Sequence, residues 1–593
     1  MMSELVKGGA FLISKAASER VFTPEDFDDL HRMISDTLTS FIKEKVIPVS
    51  AAIEEMEDGV AVGLMREMGK LGLLCSDIPE KYGGSEADKI TTLIITEQLS
   101  RAGSLSLAVG AHAGIGTLPI LFFGTEKQKK KYLPDLATGR KIAAYALTEA
   151  EAGSDAMNSK TRAVLSEDGK HYILNGSKQF ITNASWADVI VTYAKIDGEH
   201  FTAFIVERDT PGVSIGPEEH KMGIKGSSTC PVIFEDVKVP VENLLHKVGK
   251  GHQVAFNILN IGRYRLGAGC VGASKYALEL SAKYAQERQQ FNMPIAKFGL
   301  IKNKIADMNI RTYVSESLCY RIGGLIQEMV ETLDLESEDA GQKVGDGIQE
   351  YAIECSIAKI HGSEMLDFVV DEGVQIFGGY GYSQEYPIEQ AYRDSRINRI
   401  FEGTNEINRL IIPATLMRKA QKGEIPLIQA AMKLQEELLM PVMPEESDAP
   451  LAREEQMIEN LKKVFLMVSG TAAQKFGEKL AREQEILGRM ADMVCEVFAA
   501  ESALLRARKI MASKGAEAAA LAAKMTVCYV SDLGPRFDAW ARETIAAMEE
   551  GDTRRTLLAA LRKLTRFEPE NVFKLKREIA DAVYAANKYV AII

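Results

Sequence analysis

From Thr23 to about Lys141 the apolar residues recur at helical spacing: "LHRMISDTLTSFIKEKVIP" predicts a long amphipathic helix, and "ITTLIITEQLSRAG" repeats the pattern. The texture then changes. "HYILNG", "DVIVTYAKI", "HFTAFIVER" and "CPVIFEDVKVP" are short runs rich in β-branched and aromatic residues, separated by Gly, Asn and Asp, which predicts antiparallel strands joined by turns. From Gly251 to about Lys422 helical spacing returns, interrupted by "LDLESEDAGQKVGDG", read as a loop between helices. "MPVMPEESDAP" reads as a linker, and beyond it "ENLKKVFLMVSGTAAQKF" and "MADMVCEVFAAESALLRARKIM" are again amphipathic. The expectation is a mainly α protein with a central β domain: helices over 1–141, strands over 142–250, a helical bundle over 251–422, a linker with an amphipathic helix over 423–450, and an extra helical domain over 451–593.

Composition narrows the chemistry. A chain of 593 residues with 46% hydrophobic content buries several cores, three or four domains' worth. Its net charge of -12 leaves no basic footprint for a phosphate backbone, so nucleic acid is not an expected partner. Seven cysteines without C-x-x-C spacing suggest neither disulfides nor a thiolate metal site, and the eight histidines lack H-E-x-x-H, so no metal is expected. No continuous apolar run is judged long enough to cross a bilayer, and Glu4 sits where a leader peptide avoids acid; a cytoplasmic location is the expectation. In "IPLIQAAMKLQEELLM" one face carries Leu427, Ile428, Ala431, Leu434, Leu438 and Leu439, while Glu436 and Glu437 oppose Lys433 on the other. Such a face docks onto protein in preference to anionic lipid.

Three short stretches carry candidate chemistry. In "RIFEGTNEI" the carboxylate of Glu402 stands between an aromatic residue and a Gly-Thr pair, an arrangement that by itself is more often an acid in a solvated loop at a helix start but that also suits a partly desolvated general base. "AYALTEAEAGSD" combines small residues and Gly153 with the hydroxyls of Tyr145, Thr148 and Ser154, which fits close approach to a flat or phosphorylated ligand, or an ordinary turn. "NGSKQFITNA" places Phe180 two residues from Thr182, on one face of a regular strand.

These segments, with "MGIKGSSTCPVIFEDVKVP", "YAQERQQF", "DEGVQIFGGYGY" and "YRDSRINRIFEGTNEI", occur in the order found in the acyl-CoA dehydrogenase family of flavoenzymes, which the chain resembles over about residues 30–415. The extra C-terminal domain resembles the very-long-chain branch and the long bacterial dehydrogenases of fatty acid β-oxidation. The resemblance implies FAD, its ring against Tyr145, Leu147, Thr148, Phe180 and Thr182, with Phe180 standing where the family usually has Trp, and with Gly153 and Ser154 also binding the cofactor. It also implies that Arg288 and Phe291 of a neighbouring subunit, Gln375, Ile376 and Gly379, and Thr404 and Glu406 hold the pyrophosphate and adenine end. Glu402 would be the catalytic base; the alternative position used by some relatives is Gly262 here, which carries no acid. Ser154, Asn260, Arg263 and Gly403 would meet the acyl-CoA substrate, and Leu107 and Ala111, with Ser104 and Ser106 nearby, would leave a deep apolar tunnel or else mark plain helix packing.

The implied activity is FAD-dependent α,β-dehydrogenation of long-chain acyl-CoA to trans-2-enoyl-CoA, electrons passing to electron-transfer flavoprotein from a homodimer. An acyl-CoA oxidase using O2 and a scaffold or assembly protein on the same fold are the alternatives.

Overall fold

A computed structural model describes residues 5–337, 339–439 and 449–592; most of the expected "MPVMPEESDAP" linker lies outside them. The first helical layer contains α1 (Asp29–Phe41), α2 (Lys89–Leu99), α3 (Ser104–Gly110) and α4 (Glu126–Ala137). Its ends are set by local chemistry: Asp88 accepts the Thr91 amide at 2.6 Å to start α2, and Thr125 with Gln128 closes a reciprocal cap on α4.

The stretch Ser104–Phe123 is in fact long and apolar enough to cross a membrane by length and composition, contrary to the reading of the sequence. Within the fold 72% of it is buried. Its apolarity serves the interior of the helical layer, where Leu105, Ala108, Ile120 and Phe122 are all buried.

Eight strands form one sheet: β1 (Ala143–Ala146), β2 (Arg162–Leu165), β3 (His171–Thr182), β4 (Val189–Ile196), β5 (His200–Glu207), β6 (Val213–Ile215), β7 (Thr229–Pro240) and β8 (Leu244–Leu245). Their order is β6-β7-β3-β2-β4-β5-β8, with β1 beside β4. The hairpins are antiparallel as expected, but β1–β4 and β2–β4 are parallel. Those strands reach β4 from remote chain segments, so no tight turn dictates their direction.

The bundle that follows consists of α5 (Gly251–Glu287), α6 (Gly299–Glu331), α7 (Ala340–Glu350), α8 (Ala352–Phe377), α9 (Pro387–Ser395) and α10 (Asn405–Gln421). Half of the expected loop "LDLESEDAGQKVGDG" is helical, because α7 buries Val344, Gly345 and Ile348 in one face. A short helix, α11 (Leu427–Leu439), docks as its pattern predicts through the buried Leu434, with Ala431 against Gly470; Ile428 is left exposed.

The extra domain is α12 (Ala452–Phe476), α13 (Gln484–Lys514), α14 (Ala516–Met548), α15 (Gly551–Leu564) and α16 (Val572–Ala586). It is joined to the bundle by buried charge as well as by apolar packing. Arg506 on α13, 2% exposed at its side chain, pairs with Glu25 at 2.7 Å and with Glu316 of α6 at 2.6 Å. Residues 7–27, assigned from the sequence to the first helical domain, lie instead against this far side: Phe11 packs edge-on to Phe498 at 4.8 Å, and the Lys462 ammonium donates to the Ser14 carbonyl.

Candidate active site

Glu402 sits between α9 and α10 with φ of 57°, a left-handed conformation rare for a residue with a side chain, and Gly403 follows at 81°. The turn is held from three sides. Thr404 caps α10 by accepting the Ile407 amide; Asn408 Nδ2 donates to the carbonyls of Gly403 at 2.8 Å and Thr404 at 3.1 Å; and Arg263 Nε, from α5, donates to the Glu402 carbonyl at 3.1 Å. The strained backbone aims the carboxylate at α5, where its Oε2 is buried without a hydrogen-bond partner among the described residues.

The carboxylate lies directly on Gly262: a Cβ there would stand 2.5 Å from Oε2 and 2.7 Å from Cδ. The glycine that excluded an alternative base thus also clears the space for Glu402. Burial raises the Glu402 carboxyl to about 7, against the opposing pull of Arg263 and Lys359. An acid so placed is a proton acceptor matched to neutral pH.

One cavity of about 400 Å³ opens from this point between the first helical layer and the bundle. Glu402, Gly262, Thr182 and Ile224 line it, together with Leu107, Ala111, Gly269, Ala273 and Tyr276. Its wall includes a buried Asp77–Arg265 ion pair, Asp77 also holding Lys89 at 2.7 Å. His112, beside Ala111, is a satisfied core residue: it accepts the Ala143 amide at 2.9 Å, and burial lowers it to about 4, so it is neutral.

The two flavin-type segments are brought together. The Gln179 amide donates to the Thr148 carbonyl at 2.9 Å, and the buried Lys178–Glu149 ion pair of 2.7 Å pins the loop to β3. A bulge interrupts β3 between Lys178 and Ile181, and Phe180 takes φ of 60°, so the same-face relation expected of Phe180 and Thr182 is not that of a regular strand. Phe180 is left 61% exposed, near Met222 in exposure at 66%. Tyr145 is buried with its hydroxyl unpartnered, and Leu147 is buried so that only its backbone faces outward chemistry; Gly153 and Ser154 are exposed. The exposed Phe180 ring and the orphaned Tyr145 hydroxyl lie on the two segments that the Gln179–Thr148 hydrogen bond joins, and they suit a flat, polar-edged group.

Other candidates fall elsewhere. Arg288 stacks over Tyr380 at 5.4 Å, which gathers Arg288, the 85%-exposed Phe291, Gln375 and Gly379 onto one surface; Ile376 is in the core and offers only backbone. Glu406 is exposed in the first turn of α10, its carboxyl lowered by its own backbone amide and Thr404. Asn260 and Arg263, expected to face substrate, are 4% and 5% exposed and bonded to each other at 2.9 Å. Their task here is to hold the base turn, because Arg263 spends its Nε on the Glu402 carbonyl. Asn405 and Asn408, which anchor the same turn, escaped the sequence reading; the signal was a cap threonine followed by two amides on one helical turn.

Four family models match in order: the acyl-CoA dehydrogenase N-terminal domain over residues 28–140, the middle domain over 144–237, and the C-terminal domain over 249–417 and, in a second model of that description, 460–563. A probable acyl-CoA dehydrogenase of Bacillus subtilis is 54% identical over 588 residues, 99% of each chain. The chain belongs to the acyl-CoA dehydrogenase family. A crystal structure of an acyl-CoA dehydrogenase complexed with FAD from Bacillus anthracis superposes with a TM-score of 0.97 at 54% identity, covering 99% of this chain and 100% of that one. The human very long-chain specific enzyme is 38% identical over 402 residues, 64% of this chain and 58% of its own. The protein is therefore an acyl-CoA dehydrogenase-type oxidoreductase with FAD as its cofactor.

Proposed function

We propose that this acyl-CoA dehydrogenase oxidises long-chain acyl-CoA to trans-2-enoyl-CoA, with Glu402 as the base that removes the α-proton. The carrying observation is the buried, unpartnered Oε2 of Glu402 on the wall of a mainly apolar cavity. FAD, when bound, supplies the acceptor for the hydride leaving Cβ. Arg263 and Asn408 keep the base turn in its strained shape, and the Glu402 amide, which makes no hydrogen bond among the described residues, is available to a thioester oxygen as enolate charge develops.

The proposed chain length is supported by α5. Gly262, Leu266, Gly269, Cys270, Ala273 and Tyr276 line the cavity along one face of this helix. Fourteen residues of helix span about 21 Å, and an extended chain advances roughly 1.2 Å per bond, which accommodates on the order of sixteen carbons. Small side chains at 269 and 273 make the groove. Electron-transfer flavoprotein is the proposed acceptor. A homodimer is proposed because Phe291, Leu300 and Tyr382 are each more than 80% exposed around Arg288, an apolar surface that a second copy would cover while presenting Arg288 and Gln375 to the flavin.

The test is a turnover profile on acyl-CoAs from short to long, for wild type and Gly269→Leu. With each buried methylene worth about 0.8 kcal/mol, kcat/KM should climb by up to about fourfold per carbon until the cavity is filled, and Gly269→Leu should cut off the long end alone. A flat profile, or equal loss at all lengths, contradicts the tunnel. Turnover that persists anaerobically with a one-electron acceptor separates dehydrogenase from oxidase.

A further inference from the structure

A second buried charge lies beneath the base and has no part in the chemistry above. Lys359 on α8 is 0% exposed. Its ammonium donates to Asn405 Oδ1 at 2.5 Å, its one hydrogen bond among the described residues. Asn405 is the first residue of α10, three positions after Glu402. Its amide nitrogen donates to Ser363 Oγ at 3.1 Å and to Glu364 Oε1 at 2.9 Å. Glu364 in turn takes both terminal nitrogens of Arg409, at 2.7 and 3.0 Å, and Arg409 Nε reaches Asp492 of the extra domain at 2.8 Å. A continuous chain of charged hydrogen bonds thus runs from α13 to the residue that seats the base turn.

An ammonium with a single amide acceptor is costly to bury, and such a group persists where its field is used. The groups facing it are Arg263 and Cys270 from α5, Glu402 from the turn and Glu406 from α10; burial first, then Arg263, lowers Lys359 to about 8, against Cys270, Glu402 and Glu406. The Glu402 carboxyl is faced by Arg263 and Lys359, and Tyr145 is raised in part by Glu402. Arg263 is already committed to the Glu402 carbonyl and to Asn260.

We propose that Lys359 is a positioning residue for the base: its ammonium grips Asn405, three residues after Glu402, and so seats the turn that carries the carboxylate and sets a positive charge on its protein side. The proposal rests on the reading of Glu402 as the base.

The experiment uses full-length, flavin-loaded Lys359→Met, Lys359→Arg and Glu402→Gln, with kcat followed from about pH 5.5 to 9, flavin content and thermal midpoint measured alongside. Lys359→Met should move the acid limb up by about one pH unit, the low end for an opposite charge near a carboxylate, with little loss at the alkaline end; Lys359→Arg should restore the limb. A limb that stays in place while the thermal midpoint falls shows a merely structural lysine and overturns the proposal. If Lys359→Met does not fold, Lys359→Gln decides: it keeps a hydrogen-bond donor toward Asn405 Oδ1 without the charge and should shift the limb the same way, an unchanged limb again overturning the idea. Near-normal turnover by Glu402→Gln would remove the base reading itself, and is distinguishable because it needs no limb shift in any variant.

Discussion

Replacing Glu402 by glutamine should stabilise the protein at alkaline pH and leave it nearly unchanged in acid. Burial raises the carboxyl from an ordinary 4.5 to about 7. In the unfolded chain the group ionises near its ordinary value, so between the two values the unfolded state has lost a proton that the folded state keeps. Stability linked to this group is complete below about pH 4.5 and is lost as pH rises through about 7. At about 1.4 kcal/mol per unit, the full loss is roughly 3 kcal/mol, most of it between about pH 5 and 8. Glutamine has the same shape and no charge to bury, so it escapes the loss. For 593 residues, at about 2.1 cal/mol/K each, 3 kcal/mol corresponds to roughly 2 °C in thermal midpoint if the chain unfolds as one unit. The assay is scanning calorimetry of flavin-loaded wild type and Glu402→Gln at matched salt from about pH 5 to 8. A midpoint difference that does not grow with pH would refute the raised carboxyl, and with it the account of why this acid accepts a proton near neutrality.

Two further changes test the surroundings of the site. Gly262→Ala puts a methyl 2.5 Å from Glu402 Oε2; because the neighbour is the end of a flexible side chain, the fold should survive while kcat falls about 10²-fold from a displacement near 1 Å, and unchanged kcat would show that the carboxylate is not used where it rests. Arg506→Met leaves Glu25 and the deeper Glu316 without their shared partner; a buried pair broken on one side costs about 3–5 kcal/mol, read as a lower thermal midpoint, and an unchanged midpoint would mean that Lys275 and Tyr589 suffice to hold Glu316.

Much of this protein was legible in its residues because period and turn chemistry are local. The 3.6-residue spacing over 251–287 and the β-branched runs over 189–207 report burial on one face or both, and each became the element predicted. Glu402 was legible as a candidate base from its immediate neighbours, although those neighbours by themselves favoured a solvated acid. What decided between the two readings was Gly262, distant in sequence, whose missing side chain admits the carboxylate to a buried wall. Distance along the chain also hid the tasks of Arg263 and Lys359, since a basic residue on a helix reads as a polar face until the opposite wall is known. The apolar length of 104–123 and the packing partners of residues 7–27 were misjudged for the same cause: composition records that a segment is buried, whereas only the assembled layers determine what buries it.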